Sequence, residues 1–297
     1  MVPIGGHFDR TEEVQERLRH APGEEARQSV APTSEGPAPS RWSLKAVRAS
    51  FPWLKGMSLS GVWRLLQRSD LRVRSAHVQH YSPDPDYLTK QAHLLNCLRT
   101  AAQEQERVAL VFLDEMGYHR WPEPTAAWMP QAPVAALETE RGETSQQQWR
   151  VIGALNALTG RVDYREKYIV GREQVIAFYR QLDQAYERVE RLYVVQDNWS
   201  IHRHPDVVAA LTRLPRLEVV WLPTYAPWLN PIEKLWRWLR QDQLYLHRHA
   251  SDWATLRQRI NAFLDQFAAD SHALLCYVGL LGEGKLARAL HPHDYPV

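Results

Sequence analysis

A chain of 297 residues, with 36 Lys and Arg against 34 Asp and Glu and a formal charge of +2, is long enough for a core-bearing catalytic domain plus a smaller module. No run of about 18 or more apolar residues occurs, which excludes a membrane-spanning helix, and the opening MVPIGGHFDRTEE lacks the charged-then-apolar order of a secretory signal. Two cysteines, Cys97 and Cys276, out of any metal-ligand spacing, exclude a disulfide scaffold or a Cys-based zinc module and lead us to expect a cytoplasmic protein.

Residues 1–40 are rich in Glu, Pro, Gly and Ser and poor in large apolar side chains, and are expected to form a disordered leader with at most a short helix around Glu12 to Arg19. From Arg41 to His80 the chain turns basic, with eight Lys or Arg residues against the single acid Asp70. Leu44, Val47 and Phe51 recur at helical spacing there. After the turn PWLKGM a second helix starts at Ser58 or Ser60, with Val62, Leu65 and Leu66 facing in. Two short helices joined by a tight turn, the second turning Arg64, Gln67 and Arg68 outward, read as a helix-turn-helix or winged-helix unit over 41–81. Its expected DNA contacts are Arg64, Gln67, Arg68, Arg72 and Arg74; the bland alternative is an ordinary solvated basic face.

SPDPDY, Ser82 to Tyr87, reads as a Pro-interrupted linker that opens a connecting segment over 82–106, mostly a helix from Asp86 to Glu106. Beyond it, over 107–297, strands are expected at Val108 to Asp114, Trp149 to Leu158 and Asp163 to Val170. A helix from Arg172 to Glu187, a strand at Arg191 to Gln196, a helix from Pro205 to Leu214 and a strand at Leu217 to Leu222 come next. A long helix from Pro231 and a helical tail from Ser251 to Leu290 complete the chain. This order predicts an α/β fold, a mixed five-stranded sheet flanked by helices and preceded by the small helical module.

Three acids stand at the ends of these elements. Asp114 closes VALVFLD, with Gly117 expected to supply the turn. Asp197 closes LYVVQD, and Glu233 sits at the mouth of the helix after PTYAPWLNP. Each has a structural explanation of its own. Asn230, Pro231 and Glu233 satisfy the pattern of an N-cap, a first-turn proline and a capping box, and Asp197 followed by Asn198 suits an Asx turn. Three prolines and two aromatics in the approach to Glu233 exceed what a cap needs. A carboxylate at the end of a buried strand opens into the crevice where α/β sheets hold ligands. Of the neighbours Asp114 and Glu115 only one can face a shared site, and Asp114 is the choice, with Glu115 directed to the other layer or solvent. Three converging carboxylates repel one another unless a cation lies among them. Hard oxygen ligands favour Mg²⁺, or Mn²⁺ in its place, as a two-ion centre for phosphodiester chemistry. Asn198, His202 and Asn230 are the expected supports around the acids.

FLDEMGYH around Asp114, VVQDNWSIH around Asp197 and LPTYAPWLNPIEKLW around Glu233 resemble the three catalytic blocks of DDE transposases of the mariner superfamily, in its bacterial insertion-sequence branch. GALNALTG, from Gly153, and SPDPDY are similar to that family as well, and the likeness runs from about Arg41 into the C-terminal region. The resemblance implies an RNase H-like core with Asp114, Asp197 and Glu233 as metal-binding triad. It also implies cleavage of double-stranded DNA at the terminal inverted repeats of a mobile element, then attack of the freed 3′-hydroxyl on target DNA, by a homodimer or larger assembly. The chain departs from the pattern in one respect: relatives usually carry two helix-turn-helix units, and here Ser43 to Ser69 supplies one. Two other readings stay open, a DNA-binding remnant or repressor without transposition activity and a host RNase H-like nuclease.

Overall fold

In the first of the chain's two compact units, 1–78 and 79–297, hydroxyl caps fix where both short helices begin. Helix α1 (Leu44–Ser50) starts at Ser43, whose Oγ accepts the Ala46 N–H at 3.1 Å, and α2 (Leu59–Arg68) starts at Ser58, whose Oγ accepts the Gly61 N–H at 3.1 Å. Val47, Phe51, Leu54 and Val62 are buried together between them. Arg64, Gln67, Arg68 and Arg72 are exposed, as is half of Trp63 on the same helix. The computed structural model describes residues 43–69, 71–72, 82–126 and 145–291, so the leader 1–40 and the expected DNA contact Arg74 lie outside the described residues.

The second unit opens with α3 (Tyr87–Gln103) and builds a sheet from β1 (Val108–His119), β2 (Gln148–Asn156), β3 (Val162–Lys167), β4 (Arg191–Gln196) and β5 (Leu217–Trp221). Spatial order is β3-β2-β1-β4-β5, with β1 antiparallel to β2, β2 antiparallel to β3, and β1, β4 and β5 mutually parallel. Helix α4 (Arg172–Ala185) connects β3 to β4, and α5 (Pro205–Leu211) connects β4 to β5. Helices α6 (Ile232–Leu239), α7 (Trp253–Asp265), α8 (His272–Val278) and α9 (Lys285–Leu290) follow β5. Strand alternation sorts the core into two layers. Leu110, Phe112, Met116 and Tyr118 of β1 join the helices from α6 to α9, while Ala109, Val111 and Leu113 join Phe178, Tyr179 and Leu182 of α4 and Val207 of α5. Among the described residues no helix is long and apolar enough to cross a membrane.

Two expectations need correction. Strand β1 does not stop at Asp114: the antiparallel partner β2 carries the ladder on to His119, and Gly117 pairs with Arg150 rather than making a turn. The helix from Pro231 is shorter than its pattern, ending at Leu239 and widening into a π-type turn over Arg240–Leu244.

Candidate active site

The parallel ladder between β1 and β4 ends at the pair Phe112 and Val195. Asp114 lies two residues beyond that pair on β1, and Asp197 two residues beyond it on β4. Both acids therefore follow the end of the same ladder, and the Asp114 carboxyl senses Asp197 electrostatically. The mouth opens there because β1 continues while β4 stops. Asp197 Oδ1 accepts the Trp199 N–H at 2.9 Å, so the Asx turn read from the sequence is made, and its side chain is still 55 % exposed. Asn198 fastens the same turn to the next strand: its Nδ2 donates to the Leu222 carbonyl at 2.7 Å, and its Oδ1 accepts from Arg203 Nη2 at 2.6 Å.

Glu233 comes in on the first turn of α6, and the capping box expected there does not form. Asn230 does not cap the helix with its side chain. Its Nδ2 reaches the Leu113 carbonyl on β1 at 3.4 Å, and the helix begins without a side-chain cap. Glu233 is therefore not engaged in capping and stands exposed over the sheet. Trp236, one turn further on the same face, is buried, and its indole N–H donates to Asp114 Oδ2 at 3.0 Å. The contact depends on Gly153, which pairs with Asp114 across β1 and β2. A Cβ on Gly153 would lie 2.7 Å from the Trp236 ring, so only glycine lets the indole settle this low on the sheet.

On the opposite face Glu115 turns into the layer of α4, as the strand period requires. His202, with no side-chain exposure, stands between it and Asp197, its Nε2 3.5 Å from Glu115 Oε1 and 3.8 Å from Asp197 Oδ1. Its Nδ1 is 3.3 Å from the Tyr179 hydroxyl, which donates to Gln196 Oε1 at 2.6 Å. His202 thus buttresses the Asp197 turn from behind. His202 reaches the Asp197 and Glu115 carboxylates and Asn230 the backbone next to Asp114, whereas Asn198, beside Asp197, bonds to the Leu222 carbonyl and Arg203. The positioning roles of Trp236 and Gly153 were not read from the sequence, although both lie in the quoted blocks and a glycine inside an apolar strand signals close approach of another group.

Burial pushes the Asp114 carboxyl well above the ordinary carboxylate range, and Glu233, Glu115 and Asp197 push it further. Burial, then Asp197, also raises Glu233, against a smaller downward pull from Arg237 and Arg240. The three acids therefore sense one another. Among the described residues no Lys or Arg forms an ion pair with any of them. Nor is any group of three or more His, Cys, Asp or Glu side chains among those residues drawn in tightly enough to hold a metal ion. Mutually repelling oxygen donors on three anchored elements, with no paired cation among the described residues, fit a hard divalent cation, which would relieve the repulsion as it drew them together.

Residues 109–257 match the family described as DDE superfamily endonuclease. The chain is 24 % identical over 266 residues, 88 % of its own length and 73 % of the relative's, to the insertion element IS630 uncharacterized 39 kDa protein of Shigella sonnei. Its fold is that of two solved assemblies. One is the Mos1 transposase paired-end complex with left transposon end, with a TM-score of 0.56, 15 % identity, and coverage of 97 % of this chain and 86 % of that one. The other is the Mos1 strand transfer complex, with a TM-score of 0.54, 14 % identity, and coverage of 99 % and 86 %.

Proposed function

This chain belongs to the DDE superfamily endonucleases, and from that premise we propose that it is a transposase. In this reading it cuts double-stranded DNA at the ends of a mobile element and joins the freed 3′-hydroxyl to target DNA. Asp114, Asp197 and Glu233 are the catalytic acids and the ligands of two Mg²⁺ ions, with Mn²⁺ able to substitute. One observation supports the reading: Asp114 and Asp197 each follow the end of the β1–β4 ladder by two residues and sense Glu233 or one another electrostatically, and the helix that carries Glu233 holds Asp114 through Trp236 by a 3.0 Å hydrogen bond. The IS630 relative and the Mos1 paired-end and strand-transfer assemblies support the choice of transposase over a host nuclease.

The residues divide the work. Bound divalent ions supply Lewis-acid chemistry at phosphorus and lower the pKa of the attacking water or hydroxyl. Trp236 and Gly153 fix the Asp114 carboxylate, Asn198 and His202 fix the Asp197 turn, and Asn230 ties the start of α6 to β1, so that each acid rides on an anchored element and a bound cation would have only to draw the side chains together. Residues 41–81 form the DNA-binding module, with Arg64, Gln67, Arg68, Arg72 and Arg74 along the backbone and grooves. Residues 1–40 are a leader, 82–106 the connection, and 107–297 the catalytic domain. The working unit is a homodimer on paired DNA ends, acting in the cytoplasm on nucleoid DNA.

The test is Mn²⁺-dependent nicking of a duplex carrying the inverted repeats that border the gene. Asp197→Ala should abolish nicking, a loss of at least ~10³-fold, and leave DNA affinity unchanged. A folded Asp197→Ala protein that still nicks, or a wild type that binds this DNA and never nicks it, removes the enzyme reading in favour of a DNA-binding remnant.

A further inference from the structure

The loop from Leu222 to Pro231, which leads from β5 to Glu233, is fastened nearly everywhere. Leu222 N–H donates to the Gln196 carbonyl at 2.9 Å, and the Leu222 carbonyl accepts from Asn198 beside Asp197. Thr224 is held from both sides: its N–H donates to Asp84 Oδ2 at 2.8 Å, and its carbonyl accepts from Ser82 Oγ at 2.5 Å. Lys90, 2.7 Å from Asp84 Oδ2, neutralises that buried carboxylate. Ala226 and Leu229 are buried, and Trp228 Nε1 donates to the Tyr87 hydroxyl at 3.1 Å.

Tyr225 sits in the middle of this anchored loop and follows none of it. It is 77 % exposed, and among the described residues its ring and hydroxyl meet no protein partner. Its φ is +53°, in the left-handed region that an aromatic L-residue occupies only under constraint. Were the turn the only requirement, Gly or Asn would make it without strain. The strain is maintained from outside, because Ser82 and Asp84 grip the preceding residue while Ala226 is drawn into the core on the other side. What the loop achieves is the presentation of one bare aromatic ring on the segment that runs from beside Asp197, where Leu222 is tied to Gln196 and Asn198, to the helix that carries Glu233.

We propose that Tyr225 is a DNA-binding residue of this site, and that its ring stacks on a nucleobase at the cut end of the duplex. The inference rests on the transposase reading for the presence of DNA at this edge. A flat, rigid ring that lacks an intramolecular partner suits a planar heterocycle, and stacking accepts any of the four bases, so the contact would hold the end without reading its sequence.

Strain and binding make opposite demands on one residue, and that separates this role from a structural one. Tyr225→Gly should raise the Tm by relieving φ, yet lower nicking and joining at least tenfold. Tyr225→Leu should lose activity equally without the gain in Tm, and Tyr225→Phe or Tyr225→Trp should restore it. The direct readout is 2-aminopurine placed in turn at the last three nucleotides of a pre-cut end. At one position wild type and Tyr225→Trp should quench its fluorescence on binding, and Tyr225→Gly and Tyr225→Leu should not. Unchanged quenching and rate in Tyr225→Gly overturn the proposal and leave the enzyme reading standing. Variants that alter oligomeric state with no change in fluorescence assign the ring to a protein partner and overturn it as well. A wild type that quenches but never nicks keeps the stacking contact while removing the enzyme reading.

Discussion

Asp114 is a buried carboxyl beside three other acids. Because its carboxyl is held above the usual carboxylate range by burial and by Glu233, Glu115 and Asp197, the native state binds a proton that the unfolded chain has already lost. The metal-free protein should therefore lose stability as pH rises from the ordinary carboxylate value through the raised one, and regain it as pH falls. Asp114→Asn should raise the metal-free Tm near neutral pH and flatten that pH dependence, and saturating Mg²⁺ should stabilise wild type but not the variant. Thermal melts from pH 4 to 8, with and without Mg²⁺, decide this; a variant no more stable than wild type refutes the strain. Trp236→Phe keeps the ring and removes the N–H, so its effect should appear as a several-fold higher Mg²⁺ requirement with a small change in Tm. Gly153→Ala forces a methyl to within 2.7 Å of the same ring and should destabilise by about 1–3 kcal/mol as well. The three acids were picked out from apolar runs ending in acid and from the approach to a helix, and that rule holds for Asp197, just past β4, but not for Asp114, which lies inside β1. What positions them was not legible in the sequence, because a glycine opposite Asp114 and a tryptophan above it become related only once β1, β2 and α6 are assembled.

At the scale of elements, local rules succeeded where one segment determines its own conformation. Ser43 and Ser58 cap the helices they were expected to start, and β4 spans Arg191–Gln196 as its apolar run requires. They misled where a distant partner decides. Strand β1 runs past Asp114 because β2 pairs with it as far as His119, and Asn230 gives up its cap to bridge to Leu113. SPDPDY carries the marks of a linker, yet Ser82 and Asp84 are buried and tie the loop ahead of Glu233, a relation across about 140 positions that no local pattern reveals. Lys90, then the Thr224 N–H, hold the Asp84 carboxyl well below the usual carboxylate range. Asp84→Asn should therefore loosen the loop, seen as faster amide exchange from Thr224 to Trp228, while leaving the sheet protected. Exchange unchanged in that loop would show that Asp84 does not anchor it. On α2 the exposed Arg64 and Arg68 make a separate prediction. Removing both should reduce the slope of log Kd against log salt by about 2, and an unaltered slope would exclude them from the DNA interface.

At the scale of the whole sheet-bearing unit, the acids of the proposed site lie beyond the end of the parallel ladder, and apolar layers pack both faces behind them. Two apolar layers hold β1 and β4 rigid, the helices from α6 onward cover one face, and the acids emerge where the parallel ladder stops. A mixed sheet with helices on both faces followed from the order of elements alone. The five-strand order, with β1 between an antiparallel and a parallel neighbour, did not, because strand order is set by contacts between segments far apart in the chain. The central claim is that Asp114, Asp197 and Glu233 converge on divalent ions, and the most direct measurement is anomalous diffraction from crystals of the protein grown with Mn²⁺ and cut DNA. The account predicts anomalous peaks bounded by the carboxylates of all three residues, absent from Asp197→Ala crystals. Peaks elsewhere, or an ion held without Glu233 or Asp114, would contradict it.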